Sequence, residues 1–410
     1  MTPASFAILF SERNPSRTEG GEELVLRNIL LGLSARGWRC LLAYHEWGDL
    51  VPEYEAAGIA CRRFDLTPAR PTNPGRFLAS VAGQALWARR NGVGLLHCNS
   101  YFRVSHAAAV KHLGGFPAIG HLHNPPPDYL SRQYRWGLQQ IDGLIAVSAC
   151  TAAEWNRALA RPSARVAVLH NGIDIERFRP DQAARDSTRR ELGVGAAEVV
   201  IGYCGRLIRE KGVDVLIRAV ARLATEHPAL TLVILGSDAQ NTRLYGEPLE
   251  AKLRMLAQEL GIVGRFRFLG VRHDIERWHN AIDIVVVPSV YSDPLPLVVA
   301  EALACGRPVI GSRIGGIPEL LSGPLAELLV PPGDDEALAA ALQRLIADPQ
   351  RRVRLGECGR QIVEKEFGVS LFLDQFESLI GMMASRCSRP AYSSSPLPLA
   401  TAYKHWDPNR

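Results

Sequence analysis

No uninterrupted apolar stretch in this 410-residue chain approaches the roughly 18 residues that a membrane-spanning helix needs. The opening segment, Met1–Phe10, has no basic run ahead of its apolar residues. It reads as a first strand rather than a secretory leader, and a cytoplasmic protein is expected. The eight cysteines are scattered and form no Cys-x-x-Cys pair. That argues against a disulfide framework and against a zinc site. No Gly-x-Gly-x-x-Gly occupies the first loop, which counts against a dinucleotide cofactor. No Asp-x-Asp falls at a strand end, and Asp334-Asp335 reads as a helix cap, so no metal site is expected. Lysine is scarce in the first half, where Lys111 stands alone among arginines.

Through Phe178 there are 19 Lys and Arg against 14 Asp and Glu, whereas the remainder carries 28 of each. An arginine-rich half suits phosphates or an anionic membrane surface; a GC-rich genome gives the same bias without any function. Apolar residues make up 47% and charged residues 22%, the balance of a globular protein. The length exceeds what one core usually fills, so two domains are expected.

Short apolar runs alternate with amphipathic segments. Strands are expected at Phe6–Phe10, Cys40–Tyr44, Leu95–His97, Ala118–Leu122, Gly143–Val147 and Val166–Leu169, and a helix at Glu22–Ala35. The cadence pauses over the polar stretch 178–198. It restarts with Val199–Tyr203, helix Val213–Ala224, strand Leu230–Leu235 and helix Leu249–Leu260. Strands Phe266–Phe268, Ile282–Val287 and Pro308–Gly311 follow, with helix Pro296–Ala304 before the last. This is the pattern of parallel sheets covered by helices. The domains expected are 1–178 and 179–383, the last helix packing back on the first domain, followed by a disordered tail over 384–410.

Three clusters carry chemistry. Gly20-Gly21 lies between a strand and a helix, where backbone amides can approach a phosphate; a tight turn is the alternative. Gly205-Arg206 and Lys211 follow the strand Val199–Tyr203, and two fixed cations there can stabilise a diphosphate leaving group; incidental surface charge is the alternative. The third cluster runs from Pro288 to Gly306. Asp293 lies in its loop, amides at Leu297 and Val298 open its helix, and Glu301 sits within an apolar stretch where a carboxylate must grip something polar.

Taken in order, these clusters resemble glycosyltransferase family 4, retaining enzymes of the GT-B fold. The stretches that carry the likeness are Gly20-Gly21, His121-Leu122-His123-Asn124, Val147-Ser148, Asn171-Gly172-Ile173-Asp174 and Gly205-Arg206-Leu207 with Lys211-Gly212. Phe268-Leu269-Gly270, the block Asp293 to Pro308, and Gly315-Gly316-Ile317-Pro318-Glu319-Leu320 complete the set. The resemblance implies an α/β protein of two Rossmann-like domains with parallel sheets facing across a cleft. It gives Arg206 and Lys211 to the donor diphosphate, Glu301 to the ribose, and Asp293 to the transferred sugar's hydroxyls. Asp293 departs from the family's glutamate by one methylene. His123 matches a histidine near the reacting centre; His121, two residues earlier, is expected on the opposite side of the sheet. His97, at another strand end, reads mainly as structural.

What the resemblance implies chemically is transfer of a hexose-type sugar from a nucleotide-sugar, a UDP- or GDP-sugar foremost, without metal or other cofactor. The acceptor implied is a glycan or lipid-linked oligosaccharide, in bacterial surface polysaccharide or lipopolysaccharide synthesis, and no nucleic-acid partner is expected. The first half would hold the acceptor, with Arg13, Arg17, Tyr101, Arg103, Arg132, Tyr134, Arg135 and Trp136 as candidate contacts. Segment Arg76–Arg90 could make peripheral contact with an anionic membrane, or simply pack on the sheet. Two other functions fit the same fold: a sugar-nucleotide epimerase, and a catalytically inactive binding relative.

Overall fold

The computed structural model describes residues 6–17, 20–69, 74–159, 166–246 and 248–387. The chain divides into two compact units. One comprises residues up to Gly172 together with those from Ser370 onward, and the other is Ile173–Val369.

In chain order the first unit contains β1 (Ala7–Glu12), α1 (Gly21–Ala35), β2 (Arg39–Tyr44), α2 (Val51–Ala56), β3 (Ala60–Arg63), α3 (Pro74–Arg90) and β4 (Val93–Cys98). It continues with α4 (Val104–Gly114), β5 (Ala118–Leu122), α5 (Arg132–Gln140), β6 (Gly143–Ala146), α6 (Ala149–Leu159) and β7 (Ala167–Val168). The strands form one parallel sheet in the order β3-β2-β1-β4-β5-β6-β7. Every residue of β1 is buried, as expected for a central strand covered on both faces. Leu9, Ala43, Leu96, Leu122 and Ala146 of the sheet share one core with Val81, Ala85 and Ala88 of α3 and Trp155 of α6. The strand order turns back between β1 and β4, and in such sheets ligands collect at the carboxyl ends beside that reversal.

The segment Arg76–Arg90 therefore packs on the sheet through α3, while Leu78 and Leu86 stay exposed on its outer side. Ser148 and Thr151 act at the start of α6, where the Thr151 amide donates to Ser148 Oγ at 3.1 Å.

The second unit contains α7 (Gln182–Leu192), β8 (Val199–Cys204), α8 (Val213–Leu223), β9 (Leu230–Leu235), α9 (Ala239–Tyr245), α10 (Leu249–Glu259), β10 (Phe266–Gly270) and α11 (Ile275–Ala281). It continues with β11 (Ile284–Val287), α12 (Leu297–Ala304), β12 (Val309–Ser312), α13 (Ile317–Leu320), β13 (Leu329–Val330), α14 (Asp335–Ala347) and α15 (Pro349–Glu366). Its parallel sheet has the order β10-β9-β8-β11-β12-β13, reversing between β8 and β11. Asp334 caps α14 by accepting from the Ala337 amide at 2.8 Å, as its position before a helix suggested.

The polar stretch 178–198 holds a helix that periodicity does not reveal. Of α7 only Thr188 and Arg189 are buried, and the helix is fastened by Arg185 and Arg189, both paired to Asp283 at 2.5 and 2.9 Å. The second unit begins at Ile173 rather than after residue 178. Ile173 is pinned there between the Phe367 carbonyl and the Val369 amide. The last helix, α16 (Val369–Cys387), lies with the first unit from Ser370 onward. Leu373 fills the space that a side chain at Gly32 would need, Trp38 Nε1 donates to Glu377 at 2.8 Å, and Arg36 pairs with Asp374 at 2.7 Å. Because α16 runs to Cys387, the expected tail cannot start at 384; its remainder lies outside the described residues.

Candidate active site

The candidate residues fall into two sets, one on each unit. In the first unit the set gathers at the carboxyl ends of β1, β4 and β5. Gly20 is the N-cap of α1 with extended backbone, and Gly21 opens the helix. The first turn of α1 carries Glu22 and Glu23, and their carboxylates lie with that of Glu12 within 4.8 Å of one another. Three converging acids set a field opposed to a phosphate, so an anion bound at Gly20-Gly21 needs a countering cation.

His123 follows β5 directly. Its Nε2 is 3.0 Å from Asn99 Oδ1, while Asn99 Nδ2 donates to Glu12 Oε2 at 2.5 Å and to the Glu22 carbonyl at 3.3 Å. All three side chains of this series are buried. Burial pushes the His123 imidazole down to about 3, so it is neutral at ordinary pH. Burial pushes the Glu12 carboxyl up, against hydrogen bonds from Asn99 and the Arg13 amide that pull it down.

His121 does not face away from His123. Their rings lie against each other, tilted by 39° with centroids 3.9 Å apart, because residues two apart on a strand share a face. What separates them is depth: His121 is fully enclosed, and His123 retains 9% exposure at the rim. His97 is equally enclosed, in ring contact with Phe10, His121 and Phe376, and belongs to the core. Glu12 and Asn99 escaped the sequence reading, although each stands at the end of a strand beside the sheet's reversal.

In the second unit, Gly205 and Arg206 leave the end of β8. Gly205 has φ 153°, and its carbonyl so nearly touches Gly236 that any side chain there would collide. Tyr203 Oη donates to the Arg206 carbonyl at 2.6 Å and fixes the turn. Burial and the nearby Asp293 carboxylate push the Tyr203 phenol up, and Arg206 opposes them, which sets both charges around one ring.

Lys211 closes a short turn of 3-10 helix, and its Nζ reaches Asp293 Oδ2 at 2.5 Å. Asp293 also accepts from Ser289 Oγ at 3.0 Å, and its carbonyl accepts from the Gly316 amide at 2.8 Å. Gly315, at φ 61°, lies so close to the Asp293 backbone that a Cβ would come within 2.2 Å of its carbonyl oxygen. The Gly315-Gly316 turn is therefore the seat on which Asp293 rests.

Helix α12 starts at Leu297, with Pro296 as its N-cap, so the amides of Leu297 and Val298 fall in the first turn that has no carbonyl partner within the helix. Glu301, one turn on, is largely buried with Oε2 3.5 Å from Nε2 of the fully buried His279. His279, on α11, was not foreseen. Thus Arg206, Lys211 and Asp293 share the carboxyl ends around β8 and β11, whereas His123, Gly20 and Gly21 belong to the other unit.

Comparison with known proteins bears on the family and the fold. The family model "Glycosyl transferases group 1" matches residues 184–362, and "Glycosyltransferase Family 4" matches 19–177. A D-inositol 3-phosphate glycosyltransferase of Corynebacterium jeikeium is 42% identical over 197 residues, 47% of this chain and 46% of the relative. Its namesake in Saccharomonospora viridis is 32% identical over 292 residues, 70% of this chain and 64% of the relative. The match thus spans between about half and two thirds of these relatives' length. HepE of Anabaena, solved in complex with UDP, superposes with a TM-score of 0.80 at 25% identity, covering 92% of this chain and 100% of that one. Its complex with UDP-glucose gives 0.78 at 25% identity, over 92% and 99%. Two consecutive family models, lying on two parallel Rossmann-like sheets, identify the chain as a member of glycosyltransferase family 4 with the GT-B fold.

Proposed function

We propose that this protein is a retaining hexosyltransferase that uses a UDP-sugar as donor and a hydroxyl of a glycan or lipid-linked saccharide as acceptor. The observation that carries this reading is the Lys211–Asp293 pair at the sheet edge beside Arg206. A cation suited to a diphosphate and an acid suited to sugar hydroxyls are tied to each other there. The Anabaena relative, solved with UDP and with UDP-glucose, supports the choice of nucleotide.

In this mechanism Arg206 and Lys211 neutralise the departing diphosphate, with the Leu297 and Val298 amides adding partial positive charge. Asp293 orients the sugar, and Glu301, beside His279, grips the ribose. The leaving phosphate assists removal of the acceptor's proton on the same face, so configuration is kept and catalysis is chiefly positioning. The two cations do the work that a metal does elsewhere, and we propose metal-independent transfer.

For the acceptor, a second reading has its own support. The curated relatives are named for D-inositol 3-phosphate, and the match reaches 42% identity. A small polyol phosphate is therefore the alternative to a lipid-linked glycan. Among the described residues no helix is long and apolar enough to cross a membrane. Peripheral contact of a cytoplasmic enzyme with anionic lipid would use the outer side of α3, where Leu78 and Leu86 are exposed and Arg89 and Arg90 lie at one end.

The test is a thermal-shift and donor-hydrolysis screen against UDP-, GDP-, ADP- and dTDP-sugars, followed by an acceptor panel of lipid-linked saccharides and inositol phosphates. Stabilisation by UDP-sugars with slow release of free sugar is expected. Isomerisation of the donor without acceptor would favour the epimerase; failure of every nucleotide to bind would favour an inactive relative.

A further inference from the structure

The first unit ties His123 into a side-chain series whose other members, Asn99 and Glu12, neither the motifs nor the family match assigns. Asn99 is the key to it. Its Nδ2 faces two acceptors, Glu12 Oε2 at 2.5 Å and the Glu22 carbonyl at 3.3 Å. A flipped amide would set its oxygen against the Glu22 carbonyl, and against Glu12 wherever that carboxyl is ionised, so the amide has one orientation. Asn99 Oδ1 then points at His123 Nε2, 3.0 Å away, and an amide oxygen can only accept. The imidazole must carry its proton on Nε2. Glu12 is in turn anchored through Oε1 by the Arg13 amide at 2.5 Å.

The other ring nitrogen has the opposite character. Among the described residues His123 Nδ1 takes no hydrogen bond, and the residue keeps 9% exposure where His97 and His121 keep none. The His121 imidazole also packs against the ring, tilted by 39° with centroids 3.9 Å apart. Edge and face are both fixed, and one lone pair is left at the rim.

We infer that Asn99 and Glu12 are positioning residues that lock His123 as the Nε2–H tautomer, presenting Nδ1 as an acceptor for a hydroxyl of the bound sugar. A hydroxyl can donate to this lone pair; a carboxylate or phosphate oxygen cannot. The lock follows from this unit's geometry alone, and only the identity of its ligand as a sugar rests on the transferase reading.

The tautomer is read directly by long-range proton–nitrogen correlation on the full chain labelled with 15N-histidine, with His123 assigned by its loss in His123→Gln. In the wild type, without donor, the protonated-type nitrogen is expected at Nε2 and the lone-pair type at Nδ1. In Asn99→Leu the two nitrogens should shift toward averaged values as the tautomers mix. Donor turnover should fall about tenfold in Asn99→Leu through kcat, with little change in donor KM, the loss of one oriented hydrogen bond. A wild-type proton on Nδ1, or an Asn99→Leu spectrum like the wild type's, would overturn the inference. The wild-type spectrum decides even if Asn99→Leu does not fold. Absent turnover with the Nε2–H signature intact would sink the transferase reading and leave the lock standing.

Discussion

Replacing Lys211 by methionine tests the second unit's site and its stability together. The lysine's side chain is 18% exposed and Asp293's is 7%, so neither charge is well solvated. Lys211→Met leaves the Asp293 carboxylate with Ser289 as its remaining side-chain hydrogen bond among the described residues. Exposed ion pairs contribute roughly 0–1 kcal/mol, whereas removing one partner of a buried pair costs about 3–5 kcal/mol. This pair lies nearer the buried limit, and a loss of about 2–3 kcal/mol is expected. Much of that loss is an uncompensated carboxylate, so Lys211→Met with Asp293→Asn should recover part of it. The coupling between the two substitutions should be about 2 kcal/mol. With two units in one chain a single global transition is a poor measure. Urea titration read through amide exchange in β8 and β11 isolates the relevant sheet. Both single variants should also lose donor-dependent turnover. A coupling below about 0.5 kcal/mol would mean that the pair is incidental, and the site built on it would lose its main support.

Arg206→Ala should abolish turnover while changing the second unit's stability by less than about 0.5 kcal/mol, since the side chain is only half-buried; near-normal turnover would remove Arg206 from the diphosphate site. Gly315→Ala, at φ 61° and with its Cβ 2.2 Å from the Asp293 carbonyl, should destabilise by about 2 kcal/mol or more and raise donor KM, checked by the same exchange titration and initial rates. Acid should weaken the first unit selectively. Burial lowers His97 and His123 to about 3 and His106 to about 4, so the unfolded chain binds more protons once pH falls below the ordinary histidine value. Stability is then full above about pH 6.5 and declines towards pH 3–4, by about 2 kcal/mol per histidine by pH 5. A urea midpoint unchanged between pH 7 and pH 5 would contradict this. EDTA should leave turnover intact, and a loss restored by magnesium would refute metal-independent transfer.

Much of the scaffold is written in apolar periodicity. Ala118–Leu122 and Leu230–Leu235 are strands with the bounds that the apolar runs mark, because central parallel strands must be apolar on both faces. Edge strand β3, with the sequence Ala-Cys-Arg-Arg and no fully buried residue, carries no such mark. Helix α7 is held by arginines on Asp283, so hydrophobic spacing passes over it, although Asp181 and Gly193 punctuate its two ends as cap residues do. In the site, Lys211 and Asp293 were legible as chemistry, but their mutual contact was not, since it joins residues 82 positions apart. Glu12 and Asn99 look unremarkable in sequence. Their meaning comes from strand order, which puts the ends of β1 and β4 side by side although Glu12 and Asn99 are 87 positions apart.

Helix α16 has a consequence for the order in which the protein can assemble. Phe372, Phe376, Ile380 and Met383 are buried, and Leu373 occupies the notch at Gly32. The first unit is thus a discontinuous body whose closing piece is translated only after the entire second unit. During synthesis the nascent first sheet must wait with an uncovered apolar strip, while the second unit can complete itself as soon as α15 emerges. Vectorial folding should therefore run backwards here, with the later-made unit the first to become protease-resistant on the ribosome. Chains stopped near residue 368 should be held by chaperones through that strip, and no single cut can separate this protein into two self-sufficient halves.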